Sequence, residues 1–173
     1  MSTTVIDPGP SEVAPAYVLS GWWRRVGAAV LDGIVIGIGA LVLLVAITAP
    51  FSVGFFASDS AGATSLAVGL LVAIVCVAVA ALLYAPAMMT RTNGRTLGRM
   101  AAGIRVVRAS GEPMTFGLAV IREVVLKAFA FPIAGSITGG ILSLLDVLWP
   151  LWDGEKRALH DIVVDTRVVL DER

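Results

Sequence analysis

The chain has 173 residues, of which 57% are hydrophobic and only 15% charged, a balance that excludes an ordinary water-soluble globule and makes the lipid bilayer the expected surrounding. Thirteen Lys and Arg against thirteen Asp and Glu leave no net charge, so the basic footprint of a nucleic-acid binder is missing. One cysteine and one histidine exclude an internal disulfide and a two-histidine metal site within one chain, and no metal or cofactor is expected.

Residues 1–20, with Pro8, Gly9, Pro10 and Pro15 and no periodicity, read as a disordered cytoplasmic arm. They lack the basic lead and apolar core of a cleavable leader. Residues 21–170 read as one membrane domain. Its first predicted span is Val26–Thr48, 23 residues whose one ionisable member is Asp32, long enough to cross a hydrocarbon core of about 30 Å. The second is Leu66–Met89, inside a charge-free interval, and the link Ala49–Ser65 carries Pro50, Gly54 and Gly62 without Lys or Arg, as a translocated turn should. A connection follows in which Gly103–Arg108 alternates apolar with basic residues and Met114–Phe116 returns as a strand, a predicted cytoplasmic hairpin over 103–116. The third apolar region, 117–152, contains Pro132, Gly135, Gly139 and Gly140 and reads as one broken helix or as a hairpin of two legs, Gly117–Pro132 and Ile137–Trp152, turning at Ile133–Ser136. In the tail, 153–173, the run Ile162–Leu170 is β-rich and is expected to pair with the hairpin in a small sheet on the membrane surface.

Charge asymmetry sets the orientation. Arg24 and Arg25 precede the first span, seven basic residues between Arg91 and Lys127 follow the second, and the tail adds Lys156, Arg157, Arg167 and Arg173. The positive-inside bias places all three in the cytoplasm. An even number of crossings must then follow Lys127, which favours two full spans plus a short or re-entrant helical hairpin over three simple spans with an external tail. Trp22, Trp23, Trp149 and Trp152 then share the cytoplasmic interface, where indoles favour the headgroup level.

Asp32 stands out, because a carboxyl inside a spanning helix costs on the order of 2.5–3.5 kcal/mol by insertion scales unless it is neutralised or paired. Arg25, seven residues earlier and on the same helix face, is the partner the spacing offers, at about 10 Å along the axis. The pair is either a packing clamp or part of a proton or cation site. Asp146, in Leu144-Leu145-Asp146-Val147, is the other carboxylate in an apolar helix; it is a partner for Arg24, Arg25 or Arg122, or a second titratable group sharing a cavity with Asp32. Gly33–Gly37 and Gly135–Gly139 match the small-residue spacing that lets helices approach, and Cys76 reads as a small hydrophobe. No phosphate-binding loop, nucleophile triad or metal-ligand spacing occurs, so an enzyme is not expected.

Three stretches together resemble the RDD family of small bacterial membrane proteins, named for an arginine and two aspartates. They are Gly21–Asp32 (GWWRRVGAAVLD), Gly94–Val107 (GRTLGRMAAGIRVV) and Arg157–Asp161 (RALHD) followed by Asp165-Thr166-Arg167-Val168-Val169. Asp165 stands where a small residue, usually Gly, commonly precedes the Thr. The resemblance implies an all-α membrane bundle in the bacterial cytoplasmic membrane and a proposed transport role, with no substrate named. It marks Arg24 or Arg25, Asp32, and Asp161 or Asp146 as the family's charged residues; Arg25 is favoured for facing Asp32, and Asp161 for its place in Leu-His-Asp. Gly94, Thr96, Leu97, Gly98, Arg99, His160 and Asp161 are the other motif positions. His160 and Asp161 are expected to anchor the tail to the cytoplasmic hairpin through Arg95 or Arg99.

Two function readings follow. In the first, the chain is a component of ion (H⁺ or Na⁺) or small-solute transport along a path lined by Arg25, Asp32 and Asp146, and its few helices call for a homo-oligomer. In the second, it is a non-transporting adapter or assembly factor that docks another membrane protein. A crevice reaching Asp32 favours transport; an Asp32 sealed by Arg25 favours the adapter.

Overall fold

The computed structural model of the protein describes residues 17–56 and 60–171. Two long helices dominate it: α1 (Trp22–Phe56, 35 residues) and α2 (Ser60–Arg91, 32 residues), packed along each other. Both are long and apolar enough to cross a membrane. None of the most apolar window of α1 and only 11% of that of α2 is buried inside the protein. Ile34, Ile38, Leu41 and Val45 on α1 and Leu71, Ile74 and Val79 on α2 point outward, a surface that water would penalise and lipid accepts. The helices outrun the predicted spans. Most of the predicted link, Ala49–Ser65, is helical, with Pro50 inside α1, and only residues 57–59 of it lie outside the described residues.

Beyond α2 the chain reverses at Asn93 and Gly94, both at positive φ, into the short helix α3 (Leu97–Ala101), which leads into strand β1 (Ile104–Arg108). Gly94 is required here: a Cβ would stand 1.9 Å from the Val106 carbonyl oxygen, and its φ is +86°. Helix α4 (Phe116–Val120) continues through a π-helical stretch, Ile121–Ala130, into α5 (Phe131–Ile137). Pro132 supplies the reason, since its ring excludes a normal turn against the carbonyl four residues back and the wider turns before it absorb the misfit. The chain then turns at Thr138–Gly140 and returns as α6 (Ile141–Leu148), a 3₁₀ turn Trp149–Leu151, helix α7 (Leu159–Val163) and strand β2 (Thr166–Leu170).

Region 117–152 is therefore a helical hairpin, but it turns later than the predicted Ile133–Ser136. Gly139 and Gly140, at φ +62° and +90°, adopt the left-handed backbone that ends the first leg. The legs touch at Gly135, where a Cβ would lie 2.0 Å from Ser143 Oγ. Gly33 and Gly37, by contrast, have no neighbour within 4 Å where a Cβ would stand, so this Gly-x-x-x-G is no seam within the chain among the described residues.

The sheet differs from the expected hairpin. Met114–Phe116 forms no strand; β1 pairs instead with β2, antiparallel, with Ile104 opposite Leu170 and Arg108 opposite Thr166. Ile162 and Val163 belong to α7 rather than to the strand. Asp165 has φ +48°, a left-handed backbone that Gly adopts freely and Asp tolerates. Leu19 bridges to Val169 on the other edge of β2, with Ser20 N–H donating to the Val168 carbonyl at 2.9 Å. Of the expected disordered arm, residues 1–16 lie outside the described residues, while 17–20 are ordered along β2. The sheet thus ties together the start of α1, the segment after α2 and the tail. Ile104, Val106 and Val168 pack there with Ala28, Met89, Met114 and Ala119 in the buried apolar cluster.

Candidate functional site

Asp32 is held by three neutral donors, not by Arg25. Tyr84 Oη donates to Oδ1 at 2.9 Å, Gly98 N–H to Oδ1 at 2.8 Å, and Thr96 Oγ1 to Oδ2 at 2.5 Å. Thr96 caps α3 and also accepts from Arg99 N–H, so the Thr-Leu-Gly-Arg segment forms a cradle for the carboxylate. Such donors satisfy both carboxyl oxygens without a countercharge. Leu97 contributes its N–H to Tyr84 Oη at 3.1 Å while its side chain stays exposed. Gly98 permits the approach: a Cβ would stand 2.1 Å from the Ala28 carbonyl oxygen and 2.8 Å from Asp32 Cγ. Because backbone, not a flexible side chain, is in the way, Gly98→Ala is expected to destabilise the protein by about 2–3 kcal/mol, the upper range for overpacking, measured as thermal midpoint in detergent. An unchanged midpoint would show that α3 can lift off α1 without loss.

Arg25 turns toward the tail. Its Nη1 meets Asp161 Oδ2 at 2.8 Å and its Nη2 donates to the Lys156 carbonyl, a contact across 131 residues of sequence. Asp161, 0% exposed, also receives Arg122, 2% exposed, through Nε at 3.1 Å and through Nη2, as well as Thr166 Oγ1 and Ala158 N–H. Arg122 further contacts Glu123, whose Oε1 meets Arg99 Nη2 at 2.5 Å and whose Oε2 meets Lys127 Nζ at 3.3 Å. The result is one chain of charges: Arg25, Asp161, Arg122, Glu123, Arg99 and Lys127. Burial alone would raise the Asp161 pKa, but the Arg122 guanidinium, with His160 and Arg25 beside it, holds it well below the usual carboxylate range.

Asp146 is buried and faces His160. It accepts the His160 backbone N–H at 2.9 Å, and its two oxygens lie 2.9 and 2.8 Å from His160 Nδ1, while His160 Nε2 is 3.5 Å from Asp161 Oδ1. The imidazole therefore stands between two carboxylates and joins α6 to α7. Arg24 is exposed and takes no part.

Several expected pairings thus give way to others. Arg25 and Asp32 are not joined, Asp146 takes His160 rather than an arginine, and His160 and Asp161 do not meet Arg95 or Arg99: Arg95 does hold the tail, but at Asp171, 2.8 Å away, and Arg99 pairs with Glu123. Glu123 and Tyr84 were not singled out by the sequence. Arg122-Glu123 with Lys127 four residues on was the available signal for the first, three charges inside an apolar helix that must satisfy one another; Tyr84 carried none.

Between these groups lies a cavity of about 390 Å³, bordered by Arg25, Arg99, Arg122 and Lys127, by Asp32 and Asp146, and by apolar walls from Trp22 to Phe131. Its volume is in the range of small-molecule pockets. The carboxylates that border it already have donors, whereas Arg99 Nη1 and Arg25 Nε are buried without a hydrogen-bond partner. No group of three or more His, Cys, Asp or Glu able to hold a metal occurs among the described residues.

Two long apolar helices left uncovered along their length, closed at one end by a charged cluster and a two-stranded sheet, define a small helical protein of membrane type. The chain belongs to the RDD family, whose model matches residues 19–165. It is similar to two proteins of Bacillus subtilis (strain 168), both described as uncharacterized: YxaI, 27% identical over 156 residues that cover 87% of this chain and 96% of that one, and YckC, 25% identical over 152 residues that cover 88% and 85%. No solved structure matches the chain.

Proposed function

We propose that the protein is a component of ion or small-solute transport in the bacterial cytoplasmic membrane. The observation that carries this reading is the charged cavity reaching Asp32 beside two apolar helices, since ionisable groups facing a cavity within a membrane domain mark substrate or ion pathways more often than lipid-facing contacts. An adapter would need no such space. The spans are α1 and α2; the hairpin is re-entrant, because beyond Lys127 its first leg has about 10 residues and its second, Ile141–Leu151, a similar number, each about 15 Å of helix and half a hydrocarbon core. Several copies, or another membrane protein, complete the pathway.

Proteoliposomes containing the purified chain are expected to pass H⁺, Na⁺ or a small solute faster than protein-free vesicles, and folded Asp32→Asn protein to lose at least tenfold of that flux. Equal flux in vesicles with and without protein removes the transport reading and leaves the adapter.

Both termini are assigned to the cytoplasm, with the sheet and the basic residues around it. After Cys76 is replaced, a cysteine at position 59 should label from outside intact cells and one at 171 only after lysis. The reverse pattern inverts the topology.

A further inference from the structure

We infer that the cavity is an oxyanion site for a phosphate group, carried by a lipid headgroup or free in solution. The inference rests on the transport reading only in naming what that cavity holds, and goes beyond it in excluding a bare cation as the occupant.

Four cations, Arg25, Arg99, Arg122 and Lys127, border the space against two carboxylates, Asp32 and Asp146. Both carboxylates are already occupied: Asp32 by Tyr84, Thr96 and Gly98, and Asp146 by the backbone and imidazole of His160. Glu123 and Asp161, which partner the cations, do not border the cavity. The acceptors facing it are thus engaged; of the donors, Arg122 is fully paired, and the N–H groups left over belong to Arg99, Arg25 and Lys127. Arg99, whose side chain is 9% exposed, leaves Nη1 buried and unpartnered; Arg25 leaves Nε so, and Lys127, 44% exposed, has one of its three protons toward Glu123. Buried guanidinium N–H groups without acceptors are rare and signal a missing ion, ligand or water. A cation entering here would meet donors and like charge. An oxyanion would meet the positive side chains of α1, α3 and the α4 leg, with Lys127 the most accessible of them, and a tetrahedral phosphate offers acceptors in three dimensions where a carboxylate offers them in one plane. Trp22 and Phe131 give the same space apolar walls that suit the ester portion of a lipid.

The test uses the full chain in phosphate-free maltoside micelles, with isothermal titration and thermal midpoint as readouts. The probes are inorganic phosphate, a soluble short-chain phosphatidylglycerol, and, as the control, a short-chain diacylglycerol that lacks the phosphate. Saturable binding of phosphatidylglycerol with a raised midpoint, and none of phosphate, supports a lipid headgroup; binding of inorganic phosphate supports the free anion. Lys127→Gln, which alters an exposed side chain, should weaken binding severalfold, and the charge-balanced Arg99→Gln/Glu123→Gln at least tenfold. Binding of neither anionic probe by the unaltered chain, or unchanged affinity in both variants, overturns the inference. Anion binding without flux would keep it and remove the transport role, whereas Na⁺ or proton flux with no anion bound would do the opposite.

Discussion

Replacing Asp161 with asparagine is expected to cost about 3–5 kcal/mol of stability, the range for breaking a buried ion pair by removing one partner. The reason is what the change leaves behind. Arg122, almost wholly buried, would retain Glu123 as its paired charge and the Thr166 hydroxyl, and Arg25 would retain a carbonyl oxygen from Lys156. A double-mutant cycle with Arg25→Gln should give a clear coupling for the pair Arg25 and Asp161, and near additivity for Arg25 and Asp32, which share no contact. Strong coupling between Arg25 and Asp32 would reverse the assignment of partners. The same carboxylate fixes a pH dependence. Its folded-state pKa lies below the unfolded value of about 3.9, so its contribution is complete above that value and is lost as pH falls through the folded one. Thermal midpoints in detergent should therefore fall as the pH drops below about 4, and fall less steeply in Asp161→Asn.

Truncation after Trp152 is expected to abolish folded protein, not merely activity. The deletion removes β2, and with it the whole partner of β1 and the bridge to Leu19, so buried Ile104 and Val106 lose their cover. It also strips Asp161 from Arg25 and Arg122, and His160 from Asp146. Unpaired strand and unpaired buried charge act together, and each alone is a large fraction of a typical domain's stability of about 5–15 kcal/mol. The measurement is recovery of monodisperse protein in detergent beside the full chain. A truncated protein with an unchanged thermal midpoint would mean that the tail is an accessory strand and that the helices hold the charged cluster without it.

The sequence by itself determined what depends on local composition. Val26–Thr48 and Leu66–Met89 announce two long apolar helices because hydropathy over twenty residues is a sum that distant contacts do not alter. The glycines at 139 and 140 marked a break in the third region, though the turn fell there and not at 133–136, since positive φ, rather than the small polar run before it, ends the leg. The Gly94-to-Arg99 and Leu-His-Asp motifs were legible as motifs, but not what they hold. Tertiary structure alone decided the partners. Arg25 and Asp32 share a face seven residues apart, yet Arg25 bonds a carboxylate 136 positions away and Asp32 is held by groups 52, 64 and 66 positions away. A buried charge takes whichever partner relieves most desolvation, and that is set by which segments the fold brings together: Asp161, sealed from solvent, needs two guanidinium groups, whereas Asp32, against the start of α3, finds hydroxyl and backbone donors already in place. Spacing along one helix cannot report that choice.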